Sequence, residues 1–210
     1  MKDIGNTYAG WAVTNYSPSY IEKHSNYKAV FKLEDEFLNH RKIPLADTID
    51  SEAAMNFFHC MDYLCNQNHE PIRVYIMSNG GEIISGKMIY DIMESVKRKC
   101  VVETFCLGRA ASMGAVLLAA GTKGHRFILP HSEVMIHEVL VQGGIGGSAT
   151  SISRISQSIN ESRDEMNAIL AKHTGRTIEE INEATSFDNF MNAEEAIRFG
   201  ICDKIAENIF

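Results

Sequence analysis

The sequence has few prolines, a single tryptophan and no long apolar run. Four prolines and 15 glycines among 210 residues exclude collagen-like and low-complexity classes of protein. The longest mostly apolar stretch, residues 110–120, is broken by Ser112 and Gly114 and is shorter than the roughly 20 residues that cross a bilayer. Residues 1–6 lack the apolar segment of a secretory signal. We therefore expect a cytoplasmic protein that does not bind membranes.

Positive charge is also scarce. Lysine and arginine total 20 against 27 acidic residues, a net charge of −7, and no basic run is longer than residues 97–99. Nucleic acid is an unsuitable partner, because phosphate binding needs a clustered basic face. The five cysteines form no Cys-x-x-Cys pair, and their odd number argues against a disulfide framework. We expect reduced, largely buried thiols.

No internal repeat or flexible linker divides the chain, and its length suits a single domain. Residues 1–40 are rich in Tyr, Asn and Ser with weak periodicity, which predicts an extended or partly mobile arm. Residues 41–210 form the predicted domain. Its predicted strands are 72–77, 101–106, 126–129 and 133–136, and its predicted helices are 50–68, 84–96, 112–120, 148–175 and 193–200.

Three of these strands run into a glycine-bearing turn and then into a helix. This alternation predicts an α/β protein with a largely parallel sheet. Ile83 and Ile84 are expected to begin a helix that faces the core. Because ligands bind at the carboxyl ends of strands in such sheets, the chemistry is expected in the turns.

Ser112 is the first candidate for chemistry. It stands among small residues at a predicted strand-to-helix turn, where a hydroxyl is open to approach. The helix N-terminus would supply backbone N–H groups for an oxyanion. Two interpretations remain open, a nucleophile and a simple helix N-cap. The pattern is not the Gly-x-Ser-x-Gly elbow, because Ala110 replaces the first glycine.

His137 and Asp188 are the candidates that would activate such a serine. His137 closes the predicted strand 133–136 at the same edge of the sheet, although a structural histidine at a strand end is an equal alternative. Asp188 lies between Phe187 and Phe190 in a loop between two capped helices. The aromatics are expected to dehydrate this carboxylate partly and direct it toward a histidine. The alternative is an ordinary loop aspartate.

Two other patterns do not favour a ligand. Residues 81–87 fit Gly-x4-Gly-Lys, but Met88 replaces the Ser or Thr that would hold Mg²⁺. Cys60 and Cys65 would lie about 140° apart on one helix, so they do not converge on zinc with the nearby histidines. We expect neither a bound nucleotide nor a metal.

Taken together, the motifs resemble the proteolytic subunit of the Clp protease (ClpP) family. The similarity covers about residues 43–205. It is carried by residues 108–115 (GRAASMGA) and 120–127 (AGTKGHRF) around the serine, 130–132 and 135–137 around the histidine, and 188–191 and 193–196 around the aspartate.

The resemblance implies a role for each site residue. Ser112 would be the nucleophile, His137 the base and Asp188 the orienting acid, and the backbone N–H groups of Gly80 and Met113 would form the oxyanion hole. An extended substrate would pair as a strand with two segments. These segments are Gly81, Glu82 and Ile83 on one side and Val139, Leu140 and Val141 on the other.

The resemblance also implies the fold and the assembly. The fold would be a ClpP/crotonase-type spiral of strand–turn–helix units with a long protruding handle helix. Two stacked heptameric rings of the chain, as a tetradecamer, would enclose the active sites. An AAA+ unfoldase would use ATP and feed unfolded polypeptides, so the chain itself would need no cofactor. The implied function is a serine endopeptidase of ATP-dependent protein quality control.

The chain departs from the family pattern at three places, which indicates a divergent paralogue. Asn79 replaces the proline of Ser-Pro-Gly-Gly, residues 138–139 replace Gln-Pro after the histidine, and Phe187 replaces an arginine before the aspartate. Two alternatives therefore stay open. One is a weakly active or regulatory paralogue that assembles with an active sister subunit, and the other is an acyl-CoA enzyme of the crotonase superfamily.

Overall fold

The computed structural model describes residues 19–23, 28–141 and 143–209. Residues 1–18 and 24–27 of the predicted arm lie outside this description. The rest of the arm holds an antiparallel pair of strands, β1 (Ser19–Lys23) and β2 (Lys28–Lys32), followed by helix α1 (Leu33–Asn39). The sequence patterns do not predict these three elements.

The main body alternates strands and helices in chain order. Its elements are β3 (Lys42–Ile49), α2 (Ser51–Gln67), β4 (Ile72–Gly81), α3 (Ile83–Val96), β5 (Val102–Ala111), α4 (Met113–Ala119), β6 (Arg126–Ile128), β7 (Glu133–Ile136), α5 (Ala149–Thr174), α6 (Ile178–Thr185), β8 (Asn189–Asn192), α7 (Ala193–Phe199) and β9 (Lys204–Ile205).

A single sheet organises this body. Strands β3, β4, β5, β6 and β9 lie side by side and run parallel. Strand β7 also pairs parallel with the end of β5, and β8 pairs antiparallel with β7. The predicted α/β class with a largely parallel sheet is confirmed.

Side-chain caps explain where several helices begin. The Asp50 carboxylate accepts from the N–H of Ala53 at the start of α2. Asn192 and Glu195 form the predicted capping box at the start of α7. Helices α5 and α7 end at Gly175 and Gly200, whose positive φ angles suit glycine. The predicted boundaries of these helices are confirmed.

Helix α3 is confirmed, but the prediction that Ile84 faces the core is wrong. The Ile84 side chain is 84% exposed, whereas Ile89, Met93 and Val96 are buried. A stripe of residues four apart drifts by about 40° per step around a helix of 3.6 residues per turn. The stripe that begins at Ile84 therefore starts in solvent, packs against the core with partly buried side chains over the next two turns, and is buried at Val96.

Helix α5 is buried along only part of its length. Residues 149–158 are exposed on every side of the helix, and Met166, Leu170 and Thr174 are buried near its end. The first half therefore projects from the domain, as the handle helix implied by the resemblance would.

Candidate active site

At one edge of the sheet, strands β5 and β7 end and strand β8 begins, and the candidate residues lie at these strand termini. In the parallel pair of β5 and β7, Ala111 lies opposite Met135, and the Ser112 N–H donates to the Met135 carbonyl at 2.8 Å. Ser112 and His137 therefore leave adjacent strands side by side. Strand β8 places Asn189 opposite Ile136, so Asp188 lies next to His137. The topology brings all three candidates together.

Ser112 occupies a sharp turn between β5 and α4. Its φ of 53° and ψ of −122° are unusual for a residue with a side chain. Although Ser112 stands at the N-cap position, its side chain makes no cap hydrogen bond. The N-cap interpretation therefore lacks its defining contact. The geometry is that of a strained strand-to-helix turn that presents a hydroxyl.

The histidine and the aspartate are close but not hydrogen-bonded. His137 Nδ1 lies 4.0 Å from Asp188 Oδ1, beyond hydrogen-bond distance. The His137 side chain is 11% exposed, and its Nδ1 is buried without a partner among the described residues. Within the same part of the chain, no hydrogen bond joins Ser112 Oγ to His137. The three candidates therefore lie at neighbouring strand ends, with no hydrogen bond among their side chains in the described part of the chain.

The expected dehydration of Asp188 by its aromatic neighbours is wrong. The Asp188 side chain is 64% exposed, and Phe187 and Phe190 are 83% and 54% exposed. The reason is position, because Asp188 directly precedes β8, which pairs with no described strand other than β7. A strand at the margin of a sheet leaves its outward side chains in solvent.

Gly80 packs directly against the serine turn. A Cβ atom on Gly80 would lie 2.7 Å from Ser112 Cβ and 3.1 Å from the Met113 nitrogen, so only glycine fits. The Gly80 N–H donates to Ser78 Oγ at 3.0 Å, and Ser78 Oγ donates to the Asp47 carbonyl. The Met113 N–H opens α4 and has no acceptor within the described residues.

The sequence of the chain was compared with protein-family models. The model of the Clp protease family matches residues 25–209. The chain belongs to the Clp protease family. It is accordingly a peptidase of the ClpP kind.

The family match begins earlier than the motifs suggest. The quoted motifs place the start of the similarity near residue 43, whereas the Clp protease match reaches back to residue 25. Strand β2 and helix α1 therefore belong to the matched region.

In this Clp protease fold, the predicted substrate segments flank the serine turn. Gly81 ends β4, and the Glu82 N–H donates to the Ile49 carbonyl at 2.7 Å. The pairing of β4 with β5 stops at Ser78, and no described strand pairs with residues 79–81 on that side. Residues 139–141 are neither helix nor strand, and Leu140 and Val141 are exposed. Ile83 already begins α3, whereas Gly81, Glu82 and residues 139–141 have no strand pairing on the side of the turn within the described residues.

Sequence reasoning missed the Ser78 hydroxyl, which is buried and tied to the backbone on both sides of the candidate oxyanion loop. A serine two residues before a glycine in a turn is a signal for such a contact. It also missed Asp47, whose φ of 62° marks a bulge in β3 beside Ser78.

The thiols do not compete with Ser112 as nucleophiles. All five cysteines are free, and Cys100, Cys106 and Cys202 are buried. Burial raises the pKa of Cys106 to about 12, so this thiol stays protonated at neutral pH.

Across the described residues, no group of three or more His, Cys, Asp or Glu side chains could hold a metal ion. No helix in the same ranges is long and apolar enough to cross a membrane.

Proposed function

We propose that this protein is a serine endopeptidase subunit of a Clp-type protease, with Ser112, His137 and Asp188 as its triad. One observation carries the proposal, namely the strained turn that presents Ser112 beside the strand end that carries His137. Backbone strain of order 1–3 kcal/mol is kept where the surrounding structure and the function require it. A plain helix cap would not require it.

The chemistry follows from the three roles. Ser112 Oγ attacks the substrate carbonyl while His137 Nε2 removes its proton, and Asp188 holds the other ring nitrogen as the N–H tautomer. The C–N bond then breaks, and His137 protonates the leaving amine. Water next attacks the acyl-serine with His137 again as the base, which releases the acid and restores the hydroxyl.

Two small adjustments separate the described geometry from this cycle. Asp188 has to approach His137 by about 1 Å to form a charge-assisted hydrogen bond. The Gly80 N–H has to exchange Ser78 Oγ for the oxyanion and act together with the Met113 N–H. The exposed Phe187 beside Asp188 suggests that ring assembly covers this strand and closes the gap.

The substrate would bind as an extended strand between the two flanking segments. Residues 81–83 and 139–141 would supply backbone hydrogen bonds, which give affinity without demanding a particular sequence. This suits a peptidase that receives unfolded polypeptide from an AAA+ unfoldase. ATP would be consumed by that partner, and the chain would need no cofactor.

The handle helix would join the stacked heptameric rings. Ile152, Ile155 and Ile159 recur at helical spacing on the projecting half of α5, and the first two are exposed. An apolar stripe of this kind is suited to a second copy of the helix. We place the assembled protease in the cytoplasm.

A second candidate is the regulatory or weakly active paralogue. The 4.0 Å gap and the occupied Gly80 N–H favour it specifically, because both describe a site that is not ready for turnover. In that case activity would appear only after addition of a sister subunit.

Peptide hydrolysis by the purified assembly tests the proposal. Ser112→Ala should lower the turnover of a fluorogenic peptide to background, because the nucleophile is gone. Ser95→Ala, an exposed site on α3, is the matched control and should keep the wild-type rate. Turnover by Ser112→Ala near the wild-type rate would refute the mechanism.

A further inference from the structure

Three exposed side chains form a row across the strands that end at the candidate site. Asn79 is on β4, Arg109 on β5 and Glu133 on β7. Arg109 forms an ion pair with Glu133 through Nε and Nη2, and its Nη1 donates to Asn79 Oδ1 at 3.4 Å. We call these three residues the polar brace.

The brace spans β4, β5 and β7, the three strands that lead to Gly80, Ser112 and His137. Arg109 lies directly opposite Glu133 in the parallel register, and Ser78, the neighbour of Asn79, lies opposite Ala110. Along each strand a candidate follows within four residues, with Gly80 after Asn79, Ser112 after Arg109 and His137 after Glu133. The brace therefore fixes the spacing of the strands just before the groups that must act together.

Gly80 has little freedom in this arrangement. It has no side chain to anchor it, yet it lies so close to Ser112 and Met113 that a Cβ atom would not fit. Its position is set on one side by its pairing with β3 and on the other by its two preceding residues, through the Ser78 hydroxyl and the Asn79 amide. A shift of Asn79 would move the Gly80 N–H relative to the serine.

The brace is exposed to solvent rather than built into the core. Together with Asp47, Met77 and His131 it lines a cleft of about 550 Å³. Exposed ion pairs contribute little to stability, typically about 0–1 kcal/mol. A large effect on turnover would therefore report position and not loss of the fold.

We propose that Asn79, Arg109 and Glu133 are positioning residues that hold the Gly80 backbone beside the serine turn, where its N–H can exchange Ser78 Oγ for the oxyanion. This inference rests on the proposed serine peptidase function. Asn79 stands where the resemblance expects a proline, and it contributes the amide oxygen through which β4 contacts Arg109.

The chain offers a matched control on the same sheet. Arg73 on β4 and Glu103 on β5 form a second ion pair at 3.1 Å, directly opposite each other at the far end of the two strands. If the brace only strengthened the sheet, removal of either pair would have the same consequence. If it positions Gly80, only removal of the brace alters the transition state.

The first test compares Arg109→Gln and Asn79→Ala with Arg73→Gln in the assembled enzyme. We expect the two brace variants to lower kcat about tenfold with KM within about twofold, because oxyanion contacts form only in the transition state. Binding of a peptide aldehyde, which forms the tetrahedral adduct, should weaken by the same factor. Binding of the product peptide should not change.

Amide hydrogen exchange supplies a second readout that needs no activity. Arg109→Gln should speed exchange in a peptide covering residues 78–82, and Arg73→Gln should leave that peptide unchanged. Equal behaviour of the two arginine variants in this segment would overturn the inference. Absence of any hydrolysis by the wild-type protein would instead count against the proposed function, and the exchange experiment would still decide the role of the brace.

Discussion

Ser112 combines a strained backbone conformation with a hydroxyl that makes no cap hydrogen bond. Its positive φ is held by the Met135 carbonyl on one side and by the fully buried helix α4 on the other. Gly80 completes this support, because it packs against Ser112 where any side chain would clash. At the scale of single residues, the site is a set of backbone positions fixed by close packing, with two side chains, those of His137 and Asp188, left short of contact.

Asp188→Asn tests the remaining member of the triad. An amide would hold His137 in the wrong tautomer, so we expect kcat to fall on the order of 10³–10⁴-fold with little change in KM. The measurement is a pH–rate profile of peptide hydrolysis. Unchanged kinetics would remove Asp188 from the mechanism, and Glu183→Gln, at an exposed position on α6, controls for the loss of a negative charge nearby.

A cluster of polar side chains, some of them buried, anchors helix α5 near its C-terminal end. Lys172 donates to the Tyr90 hydroxyl at 3.0 Å and to Glu94 at 2.8 Å, and the Tyr90 hydroxyl lies 3.2 Å from His173 Nε2. Arg126 donates to the His173 carbonyl at 3.0 Å and forms an ion pair with Asp203. These contacts tie the end of α5 to α3 and to the sheet.

His173 makes this element sensitive to acid. Burial, together with the charge of Lys97, lowers the pKa of His173 to about 4, whereas an unfolded histidine titrates near 6.5. The unfolded chain therefore takes up the proton first, and stability falls as the pH drops from about 6.5 to 4. We expect a loss of about 2 kcal/mol between pH 7 and pH 5.

Urea unfolding at both pH values and one protein concentration checks this expectation. His173→Gln should remove most of the difference between the two pH values, because glutamine does not titrate. His69→Gln, at an exposed position, should leave the difference as it is in the wild type. The same pH dependence in all three proteins would show that His173 is not its source.

At the scale of the whole molecule, the projecting half of α5 exposes apolar side chains that a partner would cover. Ile152→Glu combined with Ile155→Glu should prevent the pairing of rings and leave single rings, because charge would replace the apolar stripe. Light scattering coupled to size-exclusion chromatography measures the mass. Ser153→Glu on the same exposed half is the control. A double-ring mass for the double variant would contradict the role of the handle.

The sequence predicts what depends on local pattern. His137 could be found because it closes a strand that is marked by its own apolar residues, and Ser112 because it stands among small residues at a predicted strand-to-helix turn. The exposure of Ile84 could not be found from spacing alone, since it depends on which face of α3 meets the sheet. The brace of Asn79, Arg109 and Glu133 could not be predicted from the sequence either. Its contacts form only when three strands that are distant in sequence are in register.

The exposure of Phe187 and Phe190 is another feature that could not be predicted from the sequence. Their composition suggested a protected carboxylate, but the position of β8 beside β7 at the margin of the sheet leaves them in solvent. Whether an aromatic residue buries its neighbour depends on the order of the strands in the sheet. A single sequence indicates that order only through the family that it resembles.

The most direct test of the account is the intact mass of the protein after treatment with a fluorophosphonate probe, which reacts with activated serines. We predict a single adduct on the assembled wild-type protein and none on Ser112→Ala. An adduct that persists in Ser112→Ala, or no adduct on the wild-type assembly even with a sister subunit or an unfoldase present, would contradict Ser112 as the activated nucleophile.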